Sequence, residues 1–206
     1  MLTACGGGDD GSNDSGKITG VDTGNASPSA SPSTSGNTPD IKRPKMAFPS
    51  DFTMEFDRSM PSDAKQAAAL TDAENFVRAI NYGIVQQDAE DAAYKFYSTP
   101  GGSAQAYAKK QIQQYVDGDW TITGVQRYTR AKVEMAGDGN RASVSFCDDD
   151  SKFYGKEVKT KKVLKTEPSD KDYYFFEIVM TASREAKGLW TADTIEVQKE
   201  ATQCKA

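Results

Sequence analysis

The densest run of reactive groups in this chain is Cys147, Asp148, Asp149 and Asp150, a thiol followed by three carboxylates. Adjacent acids suggest a hard cation such as calcium, which takes oxygen ligands. The surrounding CDDDSKFYG lacks the spacing and the distal bidentate Glu of an EF-hand loop, and successive side chains of a strand point to opposite faces. The run is therefore expected to be a solvated turn at a strand end, with no metal bound. A cysteine nucleophile usually needs a histidine partner, and the chain has no His. His/Cys metal clusters, a phosphate-cradling glycine motif and a nucleophile elbow are absent from the sequence as well.

The first cysteine, Cys5, belongs to a different chemistry. Leu2, Thr3, Ala4 and Cys5 resemble the bacterial lipobox: an aliphatic residue three before the cysteine, then small residues, then the thiol. The resemblance implies a diacylglycerol on the Cys5 sulfur and cleavage of the peptide before it. Acyl chains gain about 0.8 kcal/mol per buried CH₂, enough with two chains for stable anchoring. A charged n-region and an apolar h-region should precede such a box, so the start is expected to be that of a trimmed precursor; the alternative is a chance cysteine in an unstructured terminus. Residues 1–5 are thus expected to be a signal-peptide remnant and 6–45 a disordered tether rich in Gly, Ser, Pro and Asp, too polar to offset its ordering entropy. About 40 such residues have an r.m.s. span on the order of 35 Å. The expected location is the extracytoplasmic face of a cell membrane. Export favours an oxidising compartment, so Cys147 and Cys204 are expected to form a disulfide, the rival being a free thiol.

The remaining stretch, residues 46–206, is expected to form one α+β domain. Phe52, Met54 and Phe56 alternate with polar residues as in a half-buried strand. Leu70, Ala73, Val77, Ile80 and Ile84 recur at helical spacing after Ser62 and Asp63, a capping pair. A short aromatic helix follows in EDAAYKFYS, and a third runs from Ser103 to Asp117. Two hairpins come next, one around Gly137 to Asn140 and one around Glu185 to Gly188. The basic segment between them is expected to be an edge strand or a long loop. The net charge of -5 argues against nucleic acid as a partner, and no apolar run approaches the roughly 18 residues a membrane helix needs.

Helices first, then a sheet ending in a tryptophan-bearing hairpin, resembles the nuclear transport factor 2-like cone, shared with SnoaL-like and ketosteroid-isomerase-like domains. FYSTPG at Phe96 to Gly101, GDGNRASVSFCDDDSK at Gly137 to Lys152, KTKKVLKTEPSD at Lys159 to Asp170, GLWTADTIEV at Gly188 to Val197 and the final Cys204 resemble a group of secreted actinobacterial lipoproteins of unknown function, over about Phe48 to Cys204. The likeness makes Asp149 the first choice among the three acids. In cone-fold enzymes an Asp or His, often with a Tyr, sits inside the cavity. For an enzyme, Asp193 or Glu177, on expected strands, would be the inward acid, with Tyr94, Tyr97 or Tyr115 as donors; the expectation preferred to this is core and rim aromatics beside solvated acids. Trp120 and Trp190 are expected in the core rather than as a ligand platform. The cone hosts enzymes, carriers and assembly modules alike. The expected function is a non-enzymatic, lipid-anchored protein that binds an envelope protein or a small apolar ligand, with no cofactor. The alternatives are a carboxylate-based acid/base enzyme of isomerase or dehydratase type, and a structural module that dimerises through its sheet.

Overall fold

The first long helix begins where Asp63 turns its carboxylate onto the free N–H groups of Lys65 and Gln66, at 3.0 and 2.9 Å. This cap satisfies two donors that a helix start leaves unpaired; it falls on Asp63, one residue after Ser62. The computed structural model describes residues 41–57 and 59–205. Cys5 and the tether as far as residue 40 lie outside the described residues. Helix α1 spans Ala64–Gln86 and buries Leu70, Ala73, Phe76, Val77, Ile80 and Ile84. It stops at Gln87, which takes a left-handed backbone and sends its side-chain amide to the carbonyls of Ile84 and Trp120, both at 2.7 Å. Helices α2, Ala92–Phe96, and α3, Ser103–Asp117, follow. α1 and α3 approach closely at Gly83, where a β-carbon would stand 2.5 Å from Ile112 Cδ1.

The sheet is built from β1 (Phe52–Phe56), β2 (Trp120–Met135), β3 (Arg141–Glu157), β4 (Val163–Leu164), β5 (Tyr173–Ala182) and β6 (Trp190–Lys199). Its order is β1-β2-β3-β5-β6, with β4 pairing onto β3. β1 runs parallel to β2, and every other pair is antiparallel. Both hairpins expected from the sequence form. The basic segment between them divides: β3 continues as a strand through the three aspartates to Glu157, and β4 folds back onto Gly155 and Lys156. The aspartates are therefore strand and not the solvated turn expected. Helices first and an antiparallel-rich, curved sheet after them make an α+β layout, with α1 lying over β2 and β6 and α3 over β6 and β2.

Three bulges curve the sheet and re-aim side chains. Gln126 of β2 faces two residues of β3, Asp150 and Ser151; Arg130 and Ala131 together face Phe146; and Asp193 is the extra residue of β6 between Thr194 and Ala192. On the inner face Tyr128 stacks on Phe56 at 4.7 Å and meets Phe146 edge-on at 5.2 Å, with Phe176 stacked beyond. Each such pair adds about 0.5–1.5 kcal/mol to simple burial. Residues 41–49 are held through Arg43, whose guanidinium donates to both oxygens of the fully buried Asp72; Asp72 Oδ2 also accepts the Trp190 backbone N–H at 2.9 Å. Cys147 and Cys204 are disulfide-bonded on the outer face.

Candidate functional site

Between the sheet and the two long helices lies a cavity of about 490 Å³. Its apolar wall comes from Val77, Ile80 and Ile84 of α1 and from Phe153, Phe176, Ile195 and Val197 of the sheet. Its two acids come from β3, and α3 adds Tyr107, Lys110, Gln111, Gln114 and Tyr115. Residues two apart on a strand share a face, so Asp148 and Asp150 both point inward while Asp149 points out. The bulge at Gln126 then shifts the alternation by one, and Phe153, not Lys152, is the next β3 side chain in the wall.

Asp148 is 1% exposed. A buried relay fixes it: Asn81 Nδ2 donates to Gln126 Oε1 at 2.7 Å, and Gln126 Nε2 donates to Asp148 Oδ2 at 3.1 Å. Among the described residues, no N–H or hydroxyl donor reaches the buried Asp148 Oδ1 or Asp150 Oδ1, and the two carboxyls face each other within hydrogen-bonding reach. Burial holds both acids above the ordinary carboxylate range. For Asp150 burial is opposed by the Gln126 amide and by Asp148, leaving it at about 7; for Asp148 the facing Asp150 adds to burial and raises it well beyond its usual value. The pair titrates as a unit and keeps a proton at neutral pH.

Four tyrosines, Tyr107, Tyr115, Tyr128 and Tyr174, stand around these acids. Burial, with the aspartates next, raises all four hydroxyls, so they remain protonated donors. The exposed Lys110 and Lys199 reach the cavity from its mouth. The arrangement can hold a polar group against two carboxyls, bury an apolar body, and exchange a proton near neutral pH. No group of three or more His, Cys, Asp or Glu side chains able to hold a metal occurs among the described residues, and none of their helices is long and apolar enough to cross a membrane.

Of the residues singled out from the sequence, Tyr115 lies in the cavity wall and the rest do not. Asp149 faces away, its Oδ1 accepting the Ser151 N–H at 2.9 Å. Glu177 is exposed on the outer face and accepts from Ser143 Oγ, because Phe176 and Ile178 on either side take the inner positions. Asp193 occupies the β6 bulge, beside Gly102 at the start of α3. Tyr94 is buried with its hydroxyl on the Ala89 carbonyl, and Tyr97 is buried beside Arg43. Trp190 is in the core, whereas Trp120 is 45% exposed, packed over Gly118 at the rim of a second groove with Leu164. Of the residues that do converge, the sequence reading passes over Asn81, Tyr107, Gln126, Tyr128 and Tyr174 and sets Asp148 and Asp150 aside as a solvated turn. One signal could have found the acids: carrying the alternation of RASVSFC three residues further puts Asp148 and Asp150 on the face of Val144 and Phe146.

No protein-family model and no curated protein matches the chain. Solved structures similar to it include a ketosteroid isomerase-like protein from Erwinia carotovora atroseptica, at 14% identity and a TM-score of 0.43 over 66% of this chain and 95% of that one. A nuclear transport factor 2-like protein from Cytophaga hutchinsonii aligns at 10% identity and a TM-score of 0.40, over 63% of this chain and 93% of that one. A Catenulispora acidiphila protein in complex with S-DNPA aligns at 11% identity and a TM-score of 0.44, over 67% and 98% of the two chains. The first two carry the ketosteroid isomerase-like and nuclear transport factor 2-like names that the sequence resemblance implied for the fold. At such scores the site has to be understood from its own geometry.

Proposed function

We propose that this protein is a small-molecule binding module displayed outside a cytoplasmic membrane by a lipid on Cys5, with its cavity taking a largely apolar ligand whose polar end meets Asp148 and Asp150. The observation that carries the ligand reading is the pair of buried carboxyl oxygens that no N–H or hydroxyl donor of the described residues reaches, on the wall of a 490 Å³ cavity. An unsatisfied buried polar group costs about 1–3 kcal/mol, and a bound donor group would remove that cost. Apolar walls with a few convergent polar groups are the usual make-up of a ligand site.

The neutral probe N-phenyl-1-naphthylamine tests the cavity. Its fluorescence should brighten and shift to the blue with the wild-type protein, and Val197→Trp, which fills the cavity, should weaken binding at least tenfold without lowering the melting temperature by more than a few degrees. Equal emission with both proteins would sink the reading. The anchor is tested separately. Expressed from its full precursor in a bacterial host, the protein should sediment with membranes, and Cys5→Ser should move it to the soluble fraction; an unchanged distribution would remove the lipid from the proposal.

One observation favours a second reading, the acid/base enzyme. Asp150 near 7, among protonated phenols, suits proton transfer at neutral pH. Exchange of a bound carbonyl compound's α-hydrogen for deuterium, lost in Asp150→Asn, would favour this reading over simple binding.

A further inference from the structure

We infer that the ligand of this cavity is an organic cation, a primary ammonium whose N–H donors reach Asp148 Oδ1 and Asp150 Oδ1 while its apolar body lies among Tyr128, Tyr174, Phe153 and Phe176. The inference rests on the cavity being a ligand site, as proposed above, and adds the chemical class.

Donor counting points this way first. The two orphan oxygens project from alternate residues of one strand into the same space. Once the Asp150 proton is displaced its oxygens only accept, and the group that meets both acids must then bring several donors and a positive charge to one point, which an ammonium does and an alcohol or ketone does not. The amide that touches the acids is already committed, Gln126 being held between Asn81 and Asp148; Gln111 and Gln114 of α3 also line the cavity, as neutral donors that leave its negative charge unbalanced. The second argument is the wall. Tyrosine and phenylalanine faces are the negative ends of ring quadrupoles, and they attract a desolvated cation held over them. The third is the field. Asp149 on the far side of β3 and Asp172, just before β5, add negative potential at Asp150, and Glu200 and Asp172 do so at Tyr174. Lys110 of α3 and Lys199 of β6 stand at the exposed mouth, and Tyr107 and Tyr115 of α3 and Tyr128 of β2 face the acids as neutral phenols. A cation entering this space takes the place of the proton that the empty pair holds, and that proton leaves to solvent. Binding of an ammonium must therefore strengthen as pH rises towards the point where Asp150 ionises unaided.

Titration calorimetry of the full chain with 4-phenylbutylamine and its neutral counterpart 4-phenylbutan-1-ol tests this, at pH 6, 7 and 8 and in buffers of low and high ionisation enthalpy. Amine affinity should rise by up to about tenfold per pH unit between 6 and 7, the limit for one proton released, and flatten by pH 8. The buffer dependence of the heat should report that proton directly. The alcohol should bind at least tenfold more weakly at pH 8 and show no pH trend. Asp150→Asn should abolish the trend and most of the amine preference. The wild-type pH series is decisive even if that variant folds poorly. Equal, pH-independent binding of amine and alcohol overturns the cationic ligand while leaving the cavity standing, as does N-phenyl-1-naphthylamine binding that neither compound displaces. Absence of binding by all three compounds overturns the cavity reading itself.

Discussion

Asp150→Asn should make this protein more stable near pH 8, by about 4 kcal/mol at most, and change its stability little near pH 4. An unfolded Asp titrates near 3.9, and Asp150 in the fold titrates at about 7 because it is buried. A carboxyl whose pKa is raised by folding stabilises the fold fully below the unfolded pKa. That contribution is lost as pH climbs from the unfolded to the folded value, since over this window the native state binds more protons. A difference of about three units corresponds to roughly 4 kcal/mol at 1.36 kcal/mol per unit. Asn has the shape of the neutral acid and never ionises, so the variant escapes the loss. Asp51 and Glu90, which lysines hold below their usual values, act with opposite sign, but both proteins contain them and they cancel in the comparison. Urea unfolding across pH 4 to 8 should show the wild-type midpoint falling between about 4 and 7 relative to the variant's. Two parallel curves would mean that Asp150 ionises freely and carries no buried charge. The expected result has a functional sense: a protein that keeps an acid where it destabilises the fold is keeping it for something other than folding.

The helices and hairpins were legible because their apolar residues recur with the right period and the turn residues sit between them. The register of the sheet was not. That β1 would pair parallel to β2 depends on the path of a connection holding all three helices, which no local pattern specifies. Asp193 looked inward on a simple alternation and was displaced by a bulge that only the β5 pairing creates. Glu177 stands where the reading of solvated acids puts it, since Phe176, Ile178 and Met180 mark its face as the outer one. The acid pair was obscured by composition. Three consecutive aspartates resemble a solvated turn by propensity, and only the hydrogen bonds of β3 to β2 and β5 override that preference. Trp120 was assigned to the core from residue type alone; its neighbour Gly118 leaves room for the indole to lie flat at the rim instead.

Breaking the Cys147–Cys204 bond should cost about 4 kcal/mol of stability. The two residues are 57 apart in sequence, and closing a loop of that length restricts the unfolded chain by about this amount in the chain-entropy account. The native side adds a local consequence. Beyond β6 the chain turns back over the outer face, where Ala201 N–H donates to the Tyr173 carbonyl at 2.9 Å and Arg130, on its bulge, donates to the Gln203 and Lys205 carbonyls. Ala201 and Cys204 are buried there with Cys147 against Tyr173 and Phe175. Cys147 immediately precedes Asp148, so this outer-face patch backs the stretch of β3 that holds the acid pair on the inner face. Cys147→Ser, Cys204→Ser and the double variant should lose nearly the same stability in urea, because either single change breaks the same bond and the effects do not add. Reducing the wild type with dithiothreitol should approach the same value. A loss under about 1 kcal/mol in all three variants would show that the contacts of residues 201–205 hold the segment without the covalent link. With the larger loss, amide exchange should quicken first at Cys204 and Lys205 and next along β3 towards Asp148, coupling the redox state of the outer face to the order of the cavity.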